Sequence, residues 1–248
     1  MRRFAADAAL VLAGGRAILL QIADPVVAAG VARHSDFAHR PQQRLVHTLM
    51  YVYAVVLGTA EEAAAAVRFV HRAHEPVAGA DDPQRQLWVA ATLYDSAIRM
   101  HELVHGPVDP DLATAVLRAY EPIGTALRVP PAMWPATPDL FAAYWADALG
   151  RLDVTDEARG VVRDLLHPRF APAWIRAAMP LVRVVTVGLL PDAVRAGFGI
   201  AWGRAEQRRF DRTIALVRVV VTAVPAPLRR LPARVLLREL RRAAAGHS

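Results

Sequence analysis

Between Arg44 and Glu61 no residue carries a formal charge, and few polar side chains interrupt the apolar run. Arg44, His47, Thr48 and Tyr51 recur at i, i+3, i+4 and i+7, so on a helix over 41–57 they share one face. An uncharged helix belongs in a core, which places this polar stripe inside the protein. Buried polar groups are costly unless paired, so the stripe is a candidate site. Gly58 and Thr59 end the pattern. Thr59 and Glu62 then have capping-box spacing, and Glu61 and Glu62 suit a positive helix N-terminus. The helix they start, over 60–74, carries His71 and His74 at its far end.

The same period continues along the chain. Asp24-Pro25, Asp82-Pro83, Asp109-Pro110 and Thr137-Pro138 each set a capping side chain before a proline at the first helical position. Helices are predicted over about 5–23, 25–33, 41–57, 60–74, 83–105, 110–127, 138–150, 155–166, 172–189, 192–200, 203–224 and 227–245. Strict alternation is absent; LVRVVTVGLL at 181–190 is the one β-branched run that argues for a strand. The Pro-rich stretch 130–138 is a rigid connector rather than a boundary, and no repeat or linker divides the chain. The expected fold is all-α, one domain over 1–248 of about ten to twelve helices around a buried site.

Composition narrows the classes. Apolar residues make up 54% of the chain, with a mean hydropathy of +0.23, yet no uninterrupted apolar run reaches the ~18 residues of a membrane span. Asp7 and Arg16 break the apolar N-terminus where a signal peptide would continue, so a cytoplasmic protein is expected. There is no cysteine, hence no thiolate chemistry or disulfide framework, and no lysine, which excludes a Schiff base and a P-loop lysine. From Arg204 onward eleven arginines face three carboxylates, so this end accounts for the net charge of +7. Leucines interleave with arginines in PLRRLPARVLLRELRRAA, which reads either as a solvated face or as peripheral contact with an anionic membrane. No recognition motif accompanies the charge, so nucleic acid is not an expected partner.

Two constellations carry chemistry. HELVH at His101–His105 matches H-E-x-x-H, the helical pair of zinc ligands with Glu102 as general base. Gly106-Pro107 stop the helix directly after it, and no third ligand is evident. A zinc-dependent hydrolase is one alternative function, and a non-catalytic lipid- or membrane-binding module is another.

The second constellation is an ordered series: RHSDF at 33–37, Pro41, R-x-x-x-T as Arg44–Thr48, LGTAEEA at 57–63, VHRAHEPVAG at 70–79 and ADDPQRQLWVAATLYDSAI at 80–98. In order and spacing it resembles the haem-b oxygenase family of MpaB and rubber oxygenase (latex-clearing protein). The similarity continues more weakly through GLLPDAVRAGFGIAW at 188–202.

The resemblance implies an O2-dependent oxygenase acting on a C=C bond of an apolar, isoprenoid-like substrate. The family's H-x-x-V-x-G falls on His74–Gly79, which makes His74 the axial ligand of haem iron, with His71 one turn earlier as the alternative. Arg44 and Thr48 match the supporting R-x-x-x-T, where the arginine would meet a haem propionate. Trp88 and Thr92, in W-V-x-x-T, are expected against the haem or its ligand. Rubber-cleaving members carry Lys before the Thr; here His47 stands there, a candidate for the open side of the iron or for a bond to a neighbouring helix. Those members also use a Glu upstream of the Arg, and this chain has no glutamate before Glu61. The segment between Gly79 and Pro83 is also shorter than in many members.

Overall fold

Each of the four cap-proline pairs starts a helix. Asp24 accepts from the amides of Val26 and Val27, and Asp82 from those of Gln84 and Arg85. Asp109 likewise accepts from Leu112 and Thr137 from Leu140. The computed structural model describes residues 2–33, 41–77, 79–168 and 171–245. Its longer helices are α1 (Gly14–Ile22), α2 (Pro25–Arg33), α3 (Pro41–Leu57), α4 (Ala60–His74), α5 (Pro83–His105) and α6 (Pro110–Thr125). They continue as α7 (Pro138–Gly150), α8 (Asp156–Leu166), α9 (Ala173–Gly188), α10 (Arg204–Ala223) and α11 (Leu231–Ala245). Among the described residues there is no strand.

Several boundaries differ from the sequence pattern. The single helix expected over 5–23 is a turn at Arg2–Ala5, a 3-10 stretch at Ala8–Ala13, and then α1. Asp7 causes the break, because its carboxylate accepts from the Ala9 amide and restarts the chain there. The β-branched run 181–190 lies largely in α9, which tolerates Pro180 and packs its apolar side on α10. The helix expected over 192–200 stops at Gly197, since Gly199 takes a positive φ of 68°. The last helix is interrupted at Arg230, between Ala226–Arg229 and α11.

The packing is built on α5, whose buried side chains run from Gln86 to Val104. It lies against α1, the Ala8–Ala13 stretch, α6 and α10. Tyr94 meets Tyr120, Trp134 and Phe141 edge-on, at centroid distances of 5.8, 6.4 and 4.5 Å. Arg16, buried on α1, pairs with Asp95 at 2.5 Å and donates to Ser96 Oγ and the Leu189 carbonyl at 2.8 Å. Satisfying every side of a buried guanidinium in this way ties α1, α5 and the end of α9 together. Gly15 makes the approach of α1 to α9 feasible: a Cβ there would lie 2.2 Å from Thr186 Oγ1.

On the other side α3 packs against α4, α6 and α11. Arg241 of α11 pairs with the buried carboxylate of Glu62, which also completes the Thr59 capping box at the start of α4. Among the described residues no single helix is long and apolar enough to cross a membrane. The Ala8–Ile22 and Pro25–Arg33 segments pass that test only as a pair, and they meet at a 105° bend.

Candidate functional site

A cleft of about 590 Å³ opens between α3, α4 and α5. Val26, Val27, Gly30 and Val31 of α2 close one side, and Ile123 and Leu127 at the end of α6 contribute to the lining. The polar stripe of α3 lines this space with graded exposure: His47 is exposed, Thr48 half-buried and Tyr51 buried. The expectation that the whole stripe is interior is therefore corrected at His47, which stands at the mouth with Phe69 edge-on at 5.0 Å. Deeper in, the Tyr51 hydroxyl donates to the Ile123 carbonyl at 2.7 Å and fixes α3 against α6. Burial holds that phenol well above its ordinary pKa, so it remains a neutral donor. Arg44 lies in α3, but its side chain falls outside the described residues, as do His34 and the rest of 34–40.

The two histidines of α4 part ways. His74, half-buried at the helix end, lines the cleft; His71, one turn earlier, does not. After His74 the chain turns back sharply, with the Val77 amide donating to the His74 carbonyl at 2.8 Å and Gly79 at φ 79°. This turn brings Pro76, Val77 and Ala80 onto the wall. Gln86 Nε2 donates to the Ala80 carbonyl at 2.9 Å and pins the turn to α5.

Trp88 points elsewhere. Its indole donates to the Leu20 carbonyl at 3.1 Å and stacks on Trp145 at 5.2 Å, within the core rather than on the cleft wall. Thr92, fully buried, reaches the cleft only through a neighbour. Its hydroxyl donates to the Val89 carbonyl at 2.7 Å and accepts from Gln21 Nε2 at 3.0 Å, and Gln21 is a lining residue.

Residues 1–219 match the model of the family described as ER-bound oxygenase mpaB/B'/Rubber oxygenase, catalytic domain. The chain belongs to this oxygenase family. It is also similar to uncharacterized protein Mb2261 of Mycobacterium bovis and uncharacterized protein Rv2237 of Mycobacterium tuberculosis. Each is 32% identical over 222 residues, covering 84% of this chain and 87% of the relative. No solved structure matches the chain significantly.

In this member of the mpaB/rubber oxygenase family, HELVH forms the last turn of α5, away from the cleft. His105 Nε2 lies 3.0 Å from Asp7 Oδ2, and Glu102 pairs with Arg99 at 3.4 Å. His101 sits between Phe4 and His105, at centroid distances of 4.7 and 4.8 Å. Among the described residues no three His, Asp or Glu side chains converge to hold a metal ion. The zinc pattern is thus realised as a helix end tied to Asp7.

Among the contributors to the cleft, the sequence pattern missed the α2 wall and Arg85. The α2 wall carries no polar signal at all. Gly30 was equally silent, although a Cβ there would come within 3.3 Å of Val77. Arg85 lines the cleft while paired with Asp82 at 2.7 Å and lying 3.6 Å from Asp24, so it joins the starts of α5 and α2. Its i, i+3 spacing from Asp82 was the one available cue.

Proposed function

We propose that this protein is a haem-b-dependent oxygenase that uses O2 to oxidise or cleave a C=C bond in an apolar, isoprenoid-like substrate. The observation that carries the reading is the placement of His74: of the two histidines on α4 it alone lines the cleft. The residues fit the group. A volume of about 590 Å³ lies in the ~300–1,000 Å³ range of cofactor pockets. The walls are mainly valine, leucine, isoleucine and alanine, with polar atoms at few points. Gln86 Oε1 is buried on that wall and accepts no hydrogen bond among the described residues, so a donor brought in beside the group, such as a bridging water, would satisfy it.

His74 would hold the iron through a ring nitrogen, and the turn after it would fix the imidazole's direction. Haem, when bound, supplies the metal at which O2 is activated. Tyr51, locked to the Ile123 carbonyl, holds the depth of the cleft between α3 and α6. Thr48 and His47 present a hydroxyl and an imidazole towards the mouth, where a proton can be held or passed to solvent. The α2 valines exclude water and offer an aliphatic chain its contact surface. Arg44 is the resemblance's partner for a propionate, and Arg85 places a guanidinium on the lining.

The test is an absorption spectrum with iron analysis on protein produced with added haem precursor. Expected are a Soret band and about one iron per chain, lost in His74→Ala and kept in His71→Ala. Wild type without a Soret band would end the haem reading. With haem bound, O2 uptake on polyisoprenoid addition then tests the substrate class.

A further inference from the structure

The exposed apolar side chains are not scattered. On α9, Trp174 is 72% exposed, and Leu181 and Val182 are exposed beside it. On α10, Leu216 is 61% and Val219 66% exposed, with Val220 next to them. These positions belong to one surface. Gly188, at the end of α9, meets the Phe210 ring in the first half of α10, where a Cβ would lie 2.2 Å from the ring. Val184 and Val185 share a core cluster with Ile214, Val217 and Val221, so the two helices run antiparallel. At ~1.5 Å per residue, Trp174 and the end of α10 both lie about 20 Å from that crossing. The N-terminal half of α9 and the C-terminal half of α10 therefore form one apolar ridge.

Its charge has one sign. The stretches 171–191 and 212–238 together carry eight arginines and no acidic residue. The carboxylates of α10, Glu206 and Asp211, sit in its first half, at the other end from the ridge. The interleaved Leu/Arg helix that suggested membrane contact in the sequence is placed differently. Ala233 and Leu240 of α11 are buried, and Leu236 and Leu237 pack with them against the α3 side of the molecule. Its outward residues, among them Leu231, Arg234, Val235, Arg238 and Glu239, are exposed on that side.

We infer that the α9–α10 ridge docks this protein on the surface of an anionic lipid bilayer, with Trp174, Leu216, Val219 and Val220 entering the headgroup boundary and the arginines pairing with lipid phosphates. Exposed apolar side chains on arginine-rich stretches that carry no acidic residue of their own match an interface that is anionic outside and hydrocarbon inside. A span is not required, and the inference does not depend on haem or on the oxygenase reading.

The test uses the full chain in vesicle co-sedimentation, comparing phosphatidylcholine vesicles with vesicles containing one third phosphatidylglycerol. Expected is binding to the anionic vesicles that molar salt weakens, together with quenching of Trp fluorescence by brominated lipid that Trp174→Phe removes. Leu216→Ser/Val219→Ser/Val220→Ser, with helicity checked by circular dichroism, should lower partitioning roughly tenfold or more. No preference for anionic vesicles, or unchanged partitioning of the triple variant, overturns the inference. So does a dimer of twice 27.0 kDa by light scattering that the triple variant dissolves, because a second copy would then cover the ridge.

Discussion

At the scale of single residues, the two histidine sets of this chain have opposite surroundings. His74 opens onto a cleft, whereas His101 is packed between Phe4 and His105. Burial, and then the neighbouring His105, lower the pKa of His101 from the ordinary value of 6.5, with Asp7 opposing. The unfolded chain therefore takes up this proton at a higher pH than the folded one. Stability contributed by neutral His101 is present above pH 6.5 and is lost as the pH falls below it towards the folded value. Urea midpoints measured above and below that pH should drop more in wild type than in His101→Phe; equal slopes would show that the site does not titrate apart from the unfolded chain. Thr92 teaches a related lesson. The sequence resemblance put it against the haem or its ligand; its hydroxyl grips Gln21, a lining residue, rather than facing the cleft. Nothing in a one-dimensional pattern pairs residues 71 positions apart.

Between elements, close approach is set by glycine. The Phe210 ring occupies the place where a side chain on Gly188 would be, so Gly188→Ala would push α9 and α10 apart or twist the ring from its rotamer. Overpacking of this kind costs about 1–3 kcal/mol. Chemical denaturation should give a midpoint lowered accordingly, with little change in slope, and an unaltered midpoint would show that the interface yields freely. Element by element, the starts were the legible part: cap, proline and capping box each act within four residues, and all four cap-proline pairs formed helices. The ends and breaks were harder. The restart at Asp7 depends on one carboxylate choosing its local amide over the helix, and the strand-like run 181–190 became helical because α10 offers its apolar side a partner. The α2 wall of the cleft was invisible for the same reason: its valines look like any core valines until α4 and α5 are placed opposite.

Across the whole molecule, the stretch that matches the oxygenase family stops at residue 219, while the packing does not. Leu236 and Leu237 of α11 lie against Leu57 and Tyr53 of α3, and Arg241 holds Glu62 at the base of the helix that ends in His74. A chain cut after residue 219 should expose this face of α3 and collect in the insoluble fraction or bind a hydrophobic dye, where the full chain does neither. A soluble, cooperatively unfolding 1–219 fragment would show α11 to be an accessory. The arrangement also orders events during synthesis. Chains emerge from the ribosome N-terminus first, and their early parts begin to fold as they appear. Here α3 and α4, two walls of the cleft, are made early, but their cover, α11, is made long after them. Those walls stay open on one side until α11 has emerged, so the finished cleft, and the seating of anything in it, waits on a helix made long after them.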